Sequence, residues 1–202
     1  MLTCRRPADT SIIRFLEKQA PLEFTYEAVG ATRSQQVPDG FVFDHYRTRL
    51  GEGDAVFDAA RDALRRWAMF DIDWVTILDP SSGTSTMSPS DPAEGMTIGL
   101  LINLPLAWWL NACRVVYVID ESQPRRRFGF AYGTLPDHAE RGEERFLVEQ
   151  DDAGVCWYDL SAISRPSHPL TRLGYPIARA MQKRFARQSQ SAMQRAVERA
   201  SQ

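Results

Sequence analysis

Cysteine and histidine are scarce, three of each in 202 residues. Cys4, Cys113 and Cys156 are too few and too scattered for a disulfide framework or a zinc site, which points to a reducing, cytoplasmic setting. Phosphate loops and the GxSxG elbow are missing. Gly51-Glu52-Gly53 lacks the third glycine and the context of a dinucleotide fingerprint, so no cofactor is expected. Charge of one sign is missing too: 24 Lys and Arg stand against 26 Asp and Glu. A net charge of −2 argues against a nucleic-acid partner. The N-terminus has no uninterrupted apolar run of the roughly 7–15 residues that a signal peptide needs. The most hydrophobic stretch, Met96–Ile119, approaches the length of a span, but Asn103, Pro105, Asn111 and Arg114 interrupt it. Two buried strands joined by a proline-containing loop explain it better than a transmembrane segment.

What is present reads as one domain over 1–202, with an N-terminal extension over 1–40 and a core over 41–202. Ile12, Ile13 and Leu16 give a short helix over Thr10–Lys18 the spacing it needs, after Asp9 or Thr10 as cap. Phe41–Arg49 looks extended. Asp54 is a suitable N-cap for a helix running to about Met69, with Phe57, Ala60, Leu64 and Trp67 on one face. Six segments rich in β-branched and aromatic residues follow: Asp73–Leu78, Met96–Ile102, Ala112–Asp120, Arg126–Leu135, Glu143–Glu149 and Val155–Ser164. Ser81–Glu94 is a polar loop. The last stretch is a long helix with Leu170, Ile177, Met181, Phe185 and Ala192 on one side and Arg172, Arg179, Lys183 and Arg187 on the other. Pro176 predicts a kink or a delayed start.

Consecutive strands without helical crossovers form an antiparallel meander. Strands such as Val115–Ile119 are apolar on both faces, so both faces must be covered. The predicted class is therefore α+β: a curved antiparallel sheet gripping a long C-terminal helix, with a cavity between the two. That helix-grip order resembles the START and Bet v 1-like superfamily, whose members commonly hold hydrophobic molecules.

A second resemblance rests on local strings. They are Tyr26–Arg33 (YEAVGATR), Leu50–Gly53 with Phe57 and Ala60, Cys113–Val118 (CRVVYV), Phe128–Pro136 (FGFAYGTLP) with His138, and Gly142–Phe146 (GEERF). Ser164–Pro166, Leu173–Pro176 and Gln182 extend them. Together they resemble the family of domains of unknown function numbered nineteen-ninety. In that pattern glycine and proline flank the histidine, where this chain has Asp137 and Ala139. The resemblance implies no known activity.

Candidate chemistry concentrates in Tyr132–Phe146. Alternation sets Glu144 on the face of Phe146 and Val148, with Glu143, Arg145 and Glu149 opposite. If Phe146 faces inward, so does Glu144, and a buried carboxylate needs a partner. Arg114, His45, Arg47 and Arg165 are the chemically suitable ones. Phe128, Phe130, Tyr132 and Thr134 share one face of their strand, a stripe with a polar end; Gly129, Ala131 and Gly133 share the other. His138, Glu140 and Glu143 do not form a ligand spacing, so no metal is expected. Cys113 and Cys156 lie in apolar strands and read as small hydrophobes. The ligand-pocket candidates are Arg114, Tyr132, Thr134, His138, Glu144 and Arg165.

Three functions compete. One is a binding protein for a small apolar or lipid-like molecule. The second is a cyclase, isomerase or hydrolase with Glu144 as general acid or base and Tyr132 or Arg114 steadying negative charge. The third is an interaction module using the terminal helix, since residues 170–202 carry seven Lys or Arg and one Glu.

Overall fold

The computed structural model describes residues 1–80, 90–167 and 174–200. The extension supplies β1 (Leu2–Thr3), α1 (Asp9–Gln19) and α2 (Ala31–Ser34), and the core opens with β2 (Val42–Glu52) and α3 (Asp54–Arg65). A single helical turn (Ala68–Phe70) leads to β3 (Val75–Leu78), β4 (Thr97–Leu104), β5 (Ala107–Glu121), β6 (Arg127–Thr134), β7 (Glu140–Gln150) and β8 (Val155–Pro166). The chain ends in α4 (Tyr175–Ala200). Leu170 and Arg172, assigned above to the terminal helix, lie outside the described residues, as does most of the polar loop.

The strands form one eight-stranded antiparallel sheet in the order β2-β8-β7-β6-β5-β4-β3, with β1 added beside β5. The sheet closes on α4, which is the helix-grip architecture of the START/Bet v 1-like fold. The stretch Met96–Ile119 is a hairpin that turns at Pro105 and Leu106. Among the described residues, no helix is long and apolar enough to cross a membrane.

Several local expectations change. Asp54 does not cap α3: the N-cap is Gly53, at φ 91°, and Asp54 instead accepts hydrogen bonds from Arg126 (3.1 Å) and Gln150 (3.2 Å). The helix stops at Arg65 rather than Met69, because Trp67 takes the left-handed conformation (φ 57°) that a helix cannot contain. β7 begins at Glu140, three residues earlier than expected, so only Leu135–Ala139 connects it to β6. Asp137 sits in that connection at φ 64°, a conformation natural to the glycine of the family pattern. α4 starts at Tyr175 with Pro176 in its first turn, the delayed start that proline favours.

Period-two alternation sorts the sheet into two faces. Phe128, Phe130 and Tyr132 of β6, Phe146 and Val148 of β7, and Tyr158 and Leu160 of β8 point toward α3 and α4. Trp67 packs its ring 4.4 Å from Phe130, and Phe70 lies 5.6 Å from Phe146 and 5.5 Å from Phe185. This aromatic block fills the α3 end of the concave face.

The opposite, convex face is covered by the N-terminal extension. Ile12 and Leu16 of α1 pack with Leu78, Leu101 and Leu110, and the segment before α2 lies across β6 and β7. Gly133 makes that approach possible, since a Cβ there would stand 2.2 Å from the Tyr26 hydroxyl oxygen and 3.0 Å from the Phe24 ring. The small face of β6 thus admits the chain's own extension. A Gly133→Ala substitution is expected to cost about 1–3 kcal/mol in a urea titration, as overpacking of a buried contact.

Candidate functional site

Beyond the aromatic block, the concave face and α4 part to enclose a cavity of about 610 Å³. That is within the size range of sites for small organic molecules. Phe70, Trp74, Leu100, Ile102, Leu160 and Phe185 supply apolar wall. Leu106, 91% exposed at the β4–β5 turn, and Ile177, 69% exposed at the start of α4, also line the cavity and mark its mouth.

One row of side chains crosses the sheet beneath it. Register pairs Tyr132 with Glu144, Glu144 with Ala162, and Ala162 with Asp44, one residue from each of four neighbouring strands, all on the cavity wall. The Tyr132 hydroxyl donates to Glu144 at 2.5 Å. Burial raises the Glu144 carboxyl to about 7, and the charges of Glu140 and Asp44 push the same way against the Tyr132 hydrogen bond. Burial also holds Tyr132 well above its ordinary value, so the phenol keeps its proton.

A second polar group stands where α4 meets the sheet. Arg179 grips Asp44 through two hydrogen bonds of 2.5 and 2.7 Å and donates to Gln182 at 2.6 Å. Gln182 in turn donates to Glu140 at 2.5 Å. Burial raises the Glu140 carboxyl. Arg179, expected on the outer side of the helix, turns inward to this pair.

Deeper in β5, Asn111 is fully buried and lines the cavity. Its Oδ1 accepts from the Ala139 N–H at 3.1 Å, which fixes the amide's orientation, and its Nδ2 has no hydrogen-bond partner. His138 also lines the cavity; burial lowers it to about 4, leaving a neutral ring whose Nδ1 lies 3.0 Å from the Glu140 N–H.

The structure therefore brings together Tyr132, Thr134, His138 and Glu144 of the six pocket candidates. Thr134 is partly engaged already: its Oγ1 accepts from the Gly142 N–H at 3.0 Å and lies 2.5 Å from the Thr25 hydroxyl. Arg114 and Arg165 do not join them, and the reason is strand parity. On β5 the odd residues Trp109 and Asn111 face the cavity, so Arg114 faces the extension. There it donates to the carbonyls of Ala20 and Leu22 and lies over the Phe24 ring. On β8 Ala162 and Ser164 face inward, so Arg165 turns outward and stacks on Phe41 at 4.7 Å. Glu144 thus has a tyrosine, not an arginine, as its hydrogen-bond partner. His45 and Arg47 are also outward and bond to Asp159.

Asn111, Asp44 and Gln182 were not singled out for the site. Asn111 was visible as an interruption of an apolar strand, and Asp44 as a residue alternating with His45 and Arg47. Gln182 appeared within the family strings. Among the described residues, no cluster of three His, Cys, Asp or Glu side chains has the arrangement of a metal site. Cys113 is fully buried and its thiol is pushed up by burial, which removes it as a nucleophile.

The model of the family described as Domain of unknown function (DUF1990) matches residues 25–192. The chain belongs to the DUF1990 family. DUF1990 strings identified in the sequence meet on the convex face, where Tyr26 and Gly30 contact Glu143 and Thr32 contacts Tyr117. A UPF0548 protein of Deinococcus radiodurans is 36% identical over 195 residues, covering 93% of this chain and 94% of the relative. A UPF0548 protein of Dictyostelium discoideum is 31% identical over 215 residues, covering 98% and 96%. Among solved structures, the Zhui aromatase/cyclase of a Streptomyces species matches with a TM-score of 0.51 at 13% identity, over 80% of this chain and 96% of that one. At that identity the likeness concerns the fold alone.

Proposed function

We propose that this chain binds a small, largely apolar molecule in the cavity between the sheet and α4. The observation that carries the reading is the cavity itself: about 610 Å³, walled by aromatic and aliphatic side chains, open at a rim of exposed Leu106 and Ile177. A sheet–helix interface without a guest has no packing reason to leave such a space, since protein interiors are otherwise filled to crystal density. Glu144, Tyr132, Thr134 and His138 are among the polar groups such a guest meets. Three free thiols, two of them buried, agree with a cytoplasmic site of action.

Native mass spectrometry of protein purified without denaturation, followed by extraction, tests this directly. A retained compound is expected on the native chain and absent from Ala162→Trp, whose indole would occupy the space between Glu144 and Asp44. A compound held equally by both proteins would place binding outside the cavity and defeat the reading.

A second reading has one specific observation behind it. A carboxyl that titrates near 7 at the wall of an apolar cavity, hydrogen-bonded to a phenol, is equipped for general acid–base work at neutral pH. Once the extracted compound is known, conversion by the native chain and its loss in Glu144→Gln would favour that reading. An unchanged compound after long incubation would leave binding alone.

A further inference from the structure

The cavity's polar groups are unbalanced in sign. Asp44, Glu140 and Glu144 line it, whereas none of the described residues lining it is Lys or Arg. Arg179, which reaches the cavity wall at Asp44 and Gln182, is committed to both. The imidazole of His138, on the cavity wall, stays neutral. An anionic guest would leave water for an apolar chamber already holding carboxylates, with no free cation among the described lining residues to receive it. Transfer of that kind is strongly unfavourable.

Among the described lining residues, one buried side-chain donor lacks a partner. Asn111 is fully buried on the cavity wall, its Oδ1 is taken by the Ala139 N–H, and its Nδ2 has no partner. A buried amide nitrogen in that position is satisfied by an acceptor on the guest. Ammonium groups bring only donors and cannot satisfy it.

From this we infer that the cavity selects an uncharged apolar molecule carrying a carbonyl-type oxygen, which accepts from Asn111 Nδ2, and rejects carboxylates of the same size. The inference rests on the binding reading above and names the chemical class of its ligand.

Three matched probes separate the possibilities: 1-acetylpyrene, 1-ethylpyrene and pyrene-1-carboxylate. Trp74 and Trp109 line the cavity, so energy transfer from tryptophan to the pyrene reports occupancy. At neutral to mildly basic pH the ketone is expected to bind about tenfold more tightly than the hydrocarbon, the value of one hydrogen bond to a buried donor. The carboxylate is expected to bind at least about a hundredfold more weakly than the ketone. Asn111→Leu, close in shape and without a donor, is expected to abolish the preference for ketone over hydrocarbon while the hydrocarbon still binds. Glu144→Gln is expected to narrow the gap between ketone and carboxylate.

A carboxylate that binds as well as the ketone, or a gap that Glu144→Gln leaves untouched, overturns the charge argument. A ketone no better than the hydrocarbon on the native chain, or an unchanged preference in Asn111→Leu, overturns the role of Asn111. If even the hydrocarbon fails to bind, the apolar-cavity reading falls and the inference goes with it, an outcome distinct from hydrocarbon binding without discrimination.

Discussion

Replacing Glu143 by alanine is expected to destabilise the chain by about 3–5 kcal/mol, near the top of the range for single substitutions. The side chain is almost completely buried on the convex face, against the extension. Its Oε2 accepts from the Tyr26 hydroxyl at 2.8 Å and from the Gly30 N–H at 2.7 Å. Its Oε1 accepts from the Thr32 N–H at 3.0 Å and from the Thr32 hydroxyl. Alanine would orphan these donors together, each at a cost of about 1–3 kcal/mol less whatever water regains. Glutamine cannot substitute, because one end of its amide would present N–H groups to donors; Glu143→Gln should therefore also destabilise, by roughly half as much. Denaturant titration measures the total, and hydrogen exchange locates it. Faster exchange confined to residues 24–34 would show that this carboxylate pins the extension to the sheet, whereas exchange rising equally throughout, or a loss below about 1 kcal/mol, would refute the assignment.

The contrast between Glu143 and Glu144 shows how much the sequence discloses. Alternation along one strand is enough to send the two carboxylates to opposite faces, and the core position of Phe146 decides which is inward. The same parity explains the misplaced arginines: Arg114 and Arg165 were chosen as charge partners, yet each alternates with cavity-lining neighbours and so faces away. A more local rule would have excluded them. What periodicity could not supply is long-range. Tyr26 is 117 positions from Glu143, and Asp44 is 135 from Arg179. Those pairings depend on where the extension crosses the sheet and where α4 lies along it. Neither leaves a mark on the spacing of apolar residues. Asn111 illustrates a middle case, since a polar residue inside an apolar strand announces a special position without naming its partner.

Substituting glutamine for Glu144 should change how stability depends on pH. The carboxyl titrates near 7 in the folded chain, against an ordinary value of 4.5. Between those values the folded chain holds a proton that the unfolded chain releases, so stability contributed by the protonated form declines as pH rises and levels off above about 7. A shift of this size corresponds to about 3 kcal/mol, reduced somewhat because the group faces an open cavity. Glutamine mimics the protonated acid, retains a carbonyl oxygen for the Tyr132 hydroxyl, and does not titrate. The variant should therefore match the native chain near pH 4 and exceed its stability by about 2–3 kcal/mol near pH 8. Urea titrations of both proteins across that range isolate this group, since every other carboxylate is common to the two. Parallel curves would mean that Glu144 ionises as an ordinary carboxylate, and the acid–base reading would lose its footing. A gap that opens from about pH 4.5 and levels off above about pH 7 would mean that the fold sustains a costly charge at the cavity wall. A bound guest that accepts a hydrogen bond from the protonated acid would lower that cost, coupling occupancy to pH: affinity for such a guest should fall as pH rises through about 7.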